Sequence, residues 1–378
     1  MKIEKIEVSS YRLPPSVPWE DATNKVQALE FVMVEMKTST GLHGVGFTYS
    51  VDIGGSAIAE LAETYLAPLV IGMDPLDYER ILQKLQRQSR RLGTGVNTLA
   101  IAAFDVAVWD LIGKIHQQPL WRLFGGTRPE IPAYISEINL SESDGIDDYL
   151  GRVKDYIARG YRAIKIKIGR AEIDNDLERI VRTSELLGSG GRVFVDLNQK
   201  WTASEAVAKA SRFADLGLGW IEEPLRCDDI SGHAALKRSI NTPIALGESL
   251  FSRSQFLDYL TVGAVDFVQA DIAFVGGFTE WLRIAHLAQA FGRPMAPHYM
   301  MELSLQGLCG IPNGFMLENV VGGSFTELGL LAEPIVVEGA VARPPDRPGH
   351  GVVFDHAALE RVRLDTDSLK RAFEGGSK

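Results

Sequence analysis

"AIKIKIG" at 163–169, "RVFVDLN" at 192–198, "GWIEEP" at 219–224 and "IALGE" at 244–248 are four short β-rich segments, each with a charged residue near its C-terminal end. Helical periodicity fills the gaps, at Asp174–Leu187 and Ala203–Leu216. Working outward, the same rhythm extends back to "IPAYIS" (131–136) and forward through "DFVQAD" (266–271), "PMAPH" (294–298) and "FMLEN" (315–319), with a helix over Thr279–Phe291. Apolar strands alternating with helices predict a parallel sheet covered by helices, and eight such strands close most simply into a barrel. An open doubly wound sheet is the runner-up. No strand leads into a Gly-x-Gly-x-x-Gly helix start, and "GLHGVG" at 41–46 falls inside a hairpin pattern.

Before this rhythm the chain reads differently. "LEFVMVEMKTSTGLHGVGFTYS" (29–50) predicts a β-hairpin, and helices are expected over Ala57–Leu69, Asp77–Gln88 and Asn97–His116. The expected organisation is therefore an α+β unit over 1–125 and the barrel over 126–325. A Gly/Pro-rich C-terminal segment over 326–378 is expected to return to the first unit.

Composition limits the partners. The 378 residues are 46% hydrophobic and 23% charged, enough apolar material for a large core. Net charge is −10, which argues against nucleic acid or anionic membrane as a partner. No apolar run approaches the roughly 18–20 residues of a membrane span, and the start lacks an apolar signal core, so a cytoplasmic protein is expected. Cys227 and Cys309 are too few for a structural zinc site or a disulfide framework and read as packed thiols. His43, His350 and His356 read as cap or surface residues.

The chemistry is in what ends each strand: Lys165 and Lys167, Asp196 and Asn198, Glu222, Glu248, Asp271, His298 and Glu318. In a barrel of this kind the C-terminal strand ends form the active-site rim. Asp196, Glu222 and Glu248 end three successive strands. Three anions held close need a cation among them, and all-oxygen ligation selects a hard ion: Mg²⁺, with Mn²⁺ as a possible substitute. Lys165 and Lys167 are two apart, so both point the same way. Their mutual repulsion and desolvation are expected to lower the lysine pKa, as a lysine base requires. Asp271 is placed to orient His298. A Schiff-base aldolase would not need three carboxylates, and a retaining glycosidase would have no use for the lysine pair and the histidine.

The set "KIK" (165–167), "DLNQ" (196–199), "WIEEP" (220–224), "GES" (247–249), "QADIAFVGG" (269–277), "PH" (297–298) and "LEN" (317–319) resembles the enolase superfamily, mandelate racemase subgroup. "WDLIGK" (109–114) and "PLWRLFGG" (119–126) are similar to the segment leading into that family's barrel. The resemblance implies a (β/α)7β barrel with a cap built from both chain ends, and Mg²⁺ on Asp196, Glu222 and Glu248. It implies Lys167 and the His298–Asp271 dyad as bases on opposite faces of the substrate carbon. It places Lys165 and Asn198 beside the substrate carboxylate and casts Glu318 as a protonated donor to it. The implied first step is proton abstraction α to a carboxylate, giving an ene-diolate.

The segment "PPSVPWEDATNKVQALEF" (14–31) would be the family's specificity loop. It is polar, with Glu20, Asp21, Asn24 and Lys25, where a phenyl pocket would want apolar residues. "GVGFTYS" (44–50) and "APHYMMELSL" (296–305) are similar to the galactarate/talarate dehydratase group. The expectation is a sugar-acid dehydratase favouring an aldarate, with Lys25 pairing the distal carboxylate and Asp21 and Tyr299 as further substrate contacts. The alternative is a racemase or epimerase of a 2-hydroxy acid. The expected partner is a small carboxylic acid, and the chain is expected to form a homo-oligomer.

Overall fold

Residues 1–140 and 144–364 are described by the computed structural model of the chain. β1 (Ile3–Leu13) leads into a small hairpin, β2 (Trp19–Glu20) and β3 (Lys25–Val26). Then come β4 (Leu29–Thr38) and β5 (His43–Val51), and the three long strands form an antiparallel sheet in the order β1-β4-β5. Alternation explains why both faces of β4 are buried. Val32, Val34 and Met36 pack with Ile58, Leu85 and Phe104 of the cap helices. Leu29, Phe31 and Met33 join Phe47, Tyr49 and Phe325 in the larger core on the barrel side.

The helix Val96–His116 crosses the first face of this sheet. Gly44 and Gly46 permit the approach, since a Cβ on Gly46 would lie 2.0 Å from the Ala103 carbonyl oxygen. At 21 residues the helix has the length and apolar content of a membrane span, yet it is largely buried within the cap. Its two carboxylates are spent inside the fold. Asp105 accepts from the Thr279 N–H (2.9 Å) and hydroxyl (2.6 Å), tying cap to barrel, and Asp110 accepts from the Val45 N–H (2.9 Å).

The barrel strands are β6 (Ile131–Glu137), β7 (Ala163–Lys167), β8 (Arg192–Asp196), β9 (Trp220–Glu222), β10 (Ile244–Leu246), β11 (Phe267–Val268) and β12 (Leu317–Val320). Each of β6 to β10 pairs in parallel with the next, and β12 pairs in parallel with β6. Between β11 and β12 the expected "PMAPH" strand shrinks to Met295, which bridges Val268 and Gly314 and closes the ring. Pro294 and Pro297 lack the N–H groups that a longer ladder needs. With helices in the intervening crossovers, this is a (β/α)7β barrel.

Period two organises the barrel interior. Ala163, Phe194, Trp220 and Ala245 form an apolar plug with Tyr134 and Ala296, and Phe194 stacks on Trp220 at 3.7 Å. Two residues further along their strands, Lys165, Asp196 and Glu222 form the next inward layer. The positions between, Ile164, Val195 and Ile221 among them, face outward into the larger core.

After β12 the chain pairs β14 (Val341–Ala342), partnered by β13 (Val337–Glu338), with the start of β6. It then packs Phe354 on Phe31 and Phe47. It reaches β1 through the Arg12 N–H to Val362 carbonyl bond (2.9 Å). Residues 365–378 of the expected C-terminal segment lie outside the described residues.

Candidate active site

The inward layer meets the cap at a cavity of about 270 Å³. Asp196, Glu222 and Glu248 each bring one carboxylate oxygen within 4.8 Å of the other two. Glu222 Oε2 accepts from Trp220 Nε1 (3.0 Å) and Gln269 Nε2 (2.7 Å). The Asn198 N–H donates to Asp196 Oδ1 (2.9 Å). Glu248 Oε2 is buried without a hydrogen bond among the described residues, with His298 Nε2 3.4 Å away. Three hard oxygen donors, one of them an unpartnered acceptor, fit a divalent cation such as Mg²⁺.

Both lysines turn into this cluster. Lys165 Nζ lies 2.6 Å from Glu222 Oε1, 2.7 Å from Glu318 Oε1 and 3.4 Å from Asp196 Oδ2. Lys167 Nζ donates to Asp196 Oδ2 at 2.5 Å. Set against the carboxylates alone, both lysines are raised rather than lowered. Burial disfavours their charge, but Glu222 and Glu318, with Asp196, outweigh it at Lys165, and Asp196 with Glu248 and Glu222 outweighs burial and the Lys165 charge at Lys167. Burial and Asp196 push Glu222 up to about 8.

Glu318, expected as a protonated donor, has both oxygens engaged: Oε2 accepts from the Tyr299 N–H (2.7 Å), and Oε1 faces Lys165 at 2.7 Å. Burial raises its pKa, while the charges of Lys165 and His298 lower it.

On the other side of the triad, Asp271 Oδ2 accepts from His298 Nδ1 (2.9 Å), while its Oδ1 accepts from the Ala273 N–H (2.8 Å). Burial opposes charge on the imidazole, but Glu248 and Asp271 prevail and lift it to about 10. The sequence reading missed a third member of this group. Tyr49, on the barrel-facing side of β5, donates its hydroxyl to Asp271 Oδ2 at 2.6 Å and stands 3.3 Å from His298 Nδ1. Its only signal was membership of the quoted "GVGFTYS" stretch. Gln199 and Ser249 were missed as well. Both hydrogen-bond Glu223 Oε2, at 2.9 and 3.3 Å, while Oε1 of this second glutamate of "EEP" is buried without a partner among the described residues beside the same cavity. Burial pushes its carboxyl well above the ordinary range.

The structure brings Lys165, Lys167, Asn198, Glu248, His298 and Glu318 to the cavity wall, with Asp21 and Tyr299. Tyr299 contributes its ring: its hydroxyl is committed to the Gly323 carbonyl (2.7 Å), and the ring meets Trp19 and Tyr49 edge-on. Lys25 is not part of the wall. Its side chain is 69% exposed and lies 3.7 Å from Glu20 Oε2, because β2 and β3 pair Glu20 with Lys25. The expected pairing of Lys25 with a distal carboxylate is therefore withdrawn. Burial pushes the Cys227 and Cys309 thiols up to about 11 and about 12, as befits packed side chains.

Residues 5–125 match the mandelate racemase/muconate lactonizing enzyme N-terminal domain family, and residues 148–358 match the enolase C-terminal domain-like family. The chain is 34% identical to the 3,6-anhydro-alpha-L-galactonate cycloisomerase of Streptomyces coelicolor, over 96% of this chain and 99% of that one. It is also 34% identical to the L-talarate/galactarate dehydratase of Salmonella typhimurium, over 98% and 93%. Among solved structures, the L-talarate dehydratase of Polaromonas sp. JS666, complexed with Mg and L-glucarate, superposes with a TM-score of 0.89. It shares 32% identity, with 96% of this chain and 97% of that chain covered. Fold, sequence and the charged layer at the strand ends agree: the chain is an enzyme of the enolase superfamily, with the mandelate racemase/muconate lactonizing enzyme type of cap.

Proposed function

We propose that the chain is a Mg²⁺-dependent sugar-acid dehydratase. It removes the proton α to a carboxylate and expels the 3-hydroxyl as water, leaving a 2-keto-3-deoxy acid. One observation carries this reading: two bases flank one carboxylate triad, Lys167 against Asp196 and His298 against Glu248, and both line the same cavity.

An α-proton next to a carboxylate is weakly acidic because its removal adds a second negative charge to the carboxyl group. Mg²⁺ on Asp196, Glu222 and Glu248 supplies Lewis-acid stabilisation of that charge. The chain's own residues do the rest. Lys165, held by Glu318 at 2.7 Å, gives the substrate carboxylate a charge-assisted donor. Lys167 exchanges a proton on one face of the carbon. Asp271 holds the His298 ring through Nδ1, which leaves Nε2 to exchange a proton with the other face or with the leaving hydroxyl. The similarity to the talarate/galactarate dehydratase favours elimination. The same two bases also suit a second reading, racemisation or epimerisation of a 2-hydroxy acid, in which reprotonation comes from the opposite face.

The test is a panel of aldonic and aldaric acids incubated with the Mg²⁺-loaded protein, with 2-keto acid detected by semicarbazide. Product should form, vanish on chelation and return with Mg²⁺. A panel that stays inert while 2-hydroxy acids invert would replace elimination with racemisation. Full turnover in metal-free protein would remove the triad's role.

A further inference from the structure

The two ends of the cavity differ in charge. Among the described residues, the cations that line it are Lys165, Lys167 and His298. All three are engaged at the barrel end: Lys165 by Glu222 and Glu318, Lys167 by Asp196, and His298 by Asp271 and Glu248. The cap end is walled by Asp21, Thr23 and Asn24 of the β2–β3 turn, with Trp19, Val26 and Val51 beside them. The one formal charge in that wall is the carboxylate of Asp21.

The turn that carries it is well built. Asp21 Oδ1 accepts from the Thr23 N–H (2.6 Å), the Thr23 hydroxyl (2.8 Å) and the Asn24 N–H (2.7 Å). The hairpin is seated on the barrel loops. The Leu140 N–H donates to the Glu20 carbonyl (2.7 Å), Trp19 Nε1 to the Val321 carbonyl (2.9 Å), and Lys200 Nζ to the Ala22 carbonyl (3.0 Å). Of the lysines on or touching this hairpin, Lys200 Nζ is held at the Ala22 carbonyl and Lys25 sits with Glu20, and neither lines the cavity wall.

We infer that the substrate is a monocarboxylic sugar acid with an uncharged, hydroxylated far end, an aldonate-type acid, and that Asp21 discriminates against dicarboxylic aldarates. This rests on the reading above that the triad and Lys165 take the reacting carboxylate. A second carboxylate at the far end would then meet Asp21 with no cation among the described residues of that wall, which is made partly of Trp19, Val26 and Val51. Like charges brought together are disfavoured, and at the half-buried Asp21 water screens but does not abolish that repulsion. A terminal hydroxyl has the opposite fortune. It donates to the Asp21 carboxylate and accepts from a neutral donor such as the Asn24 amide. The polar loop that suggested an aldarate in the sequence is anionic where it faces the cavity.

The experiment compares acids of one configuration in pairs, galactonate with galactarate and gluconate with glucarate, on the Mg²⁺-loaded full chain. Two quantities are read: kcat/KM for keto-acid release, and the rise in Tm that each acid produces. Within the productive pair the monoacid should lead by about fivefold. Asp21→Asn keeps an Oδ1 acceptor for Thr23 and Asn24 but loses the charge, and should shrink that ratio. Asp21→Lys should tip it toward the diacid. A wild-type preference for the diacid overturns the inference, as does a ratio that neither variant moves. If Asp21→Lys does not fold, Asp21→Asn decides. Monoacids that raise Tm in an Asp21-dependent way without releasing keto acid would sink the dehydratase reading and leave this inference standing. Acids that neither react nor raise Tm would overturn both.

Discussion

The floor and the roof of the cavity are built in different ways. The floor stands on barrel strands, and each of its charges has partners on neighbouring strands: Lys165 reaches β8, β9 and β12, and Asp196 receives both lysines. Those groups are almost wholly buried. The roof is a hairpin of two two-residue strands whose turn is half-buried or exposed and is tied down by single hydrogen bonds. A change in the floor is felt by every neighbour, whereas a change in the roof alters what meets the far end of the substrate. On the reading proposed above, the reaction and the choice of acid are carried by separate pieces of chain.

The sharpest way to break this comparison is at the two bases. Lys167→Ala and His298→Asn should each cut turnover by about 10²–10⁴-fold. In deuterated buffer each variant should still exchange the α-proton of a substrate on the face served by the remaining base. Identical stereochemistry of exchange in both would mean that the two residues do not flank the carbon. Asp196, Glu222 and Glu248 remain in both variants, so Mg²⁺ affinity measured by titration calorimetry should survive.

A smaller effect is expected at Tyr49, where the cap reaches the floor. Tyr49→Phe keeps the ring on Phe274 and Tyr299 but removes the hydroxyl that Asp271 accepts. The loss should fall on kcat, by about 10–100-fold, the range seen when an outer hydrogen bond to a functional side chain is removed. The Lys167-side proton exchange should be spared. A rise in KM at constant kcat would instead make Tyr49 part of the substrate wall. The smallest effect belongs to Lys25. Its exposed pairing with Glu20 is worth little, so Lys25→Ala should change kcat/KM by less than about twofold for monoacids and diacids alike. A selective collapse of aldarate activity would restore Lys25 to the roof.

The floor was legible for a local reason. Strand side chains alternate, so a residue at the C-terminal end of a strand and in phase with Ala163, Phe194 and Trp220 must enter the barrel above that apolar plug. Lys165, Asp196 and Glu222 could be read that way from short stretches of sequence, as could the cap hairpin and the long helix before the barrel. "PMAPH" was readable as a barrel segment, but its prolines leave only Met295 in the ladder.

What the sequence by itself determined, then, is the inventory: which elements form, and which charges stand at the strand ends. Only the tertiary structure decided how those charges answer one another. Which carboxylate each lysine meets depends on distances across strands: Lys167 Nζ reaches Asp196 at 2.5 Å, and Lys165 reaches Glu222 and Glu318. Tyr49 lies 222 residues from Asp271 along the chain, so no spacing rule could join them. The hairpin shows the same limit at close range. Asp21 and Lys25 are four residues apart in one polar loop, and the pairing of Glu20 with Lys25 is part of an arrangement that puts the carboxylate at the cavity and leaves the ammonium in solvent. Local propensity selects a turn there, but only the packing of that turn against the barrel loops selects its inner face.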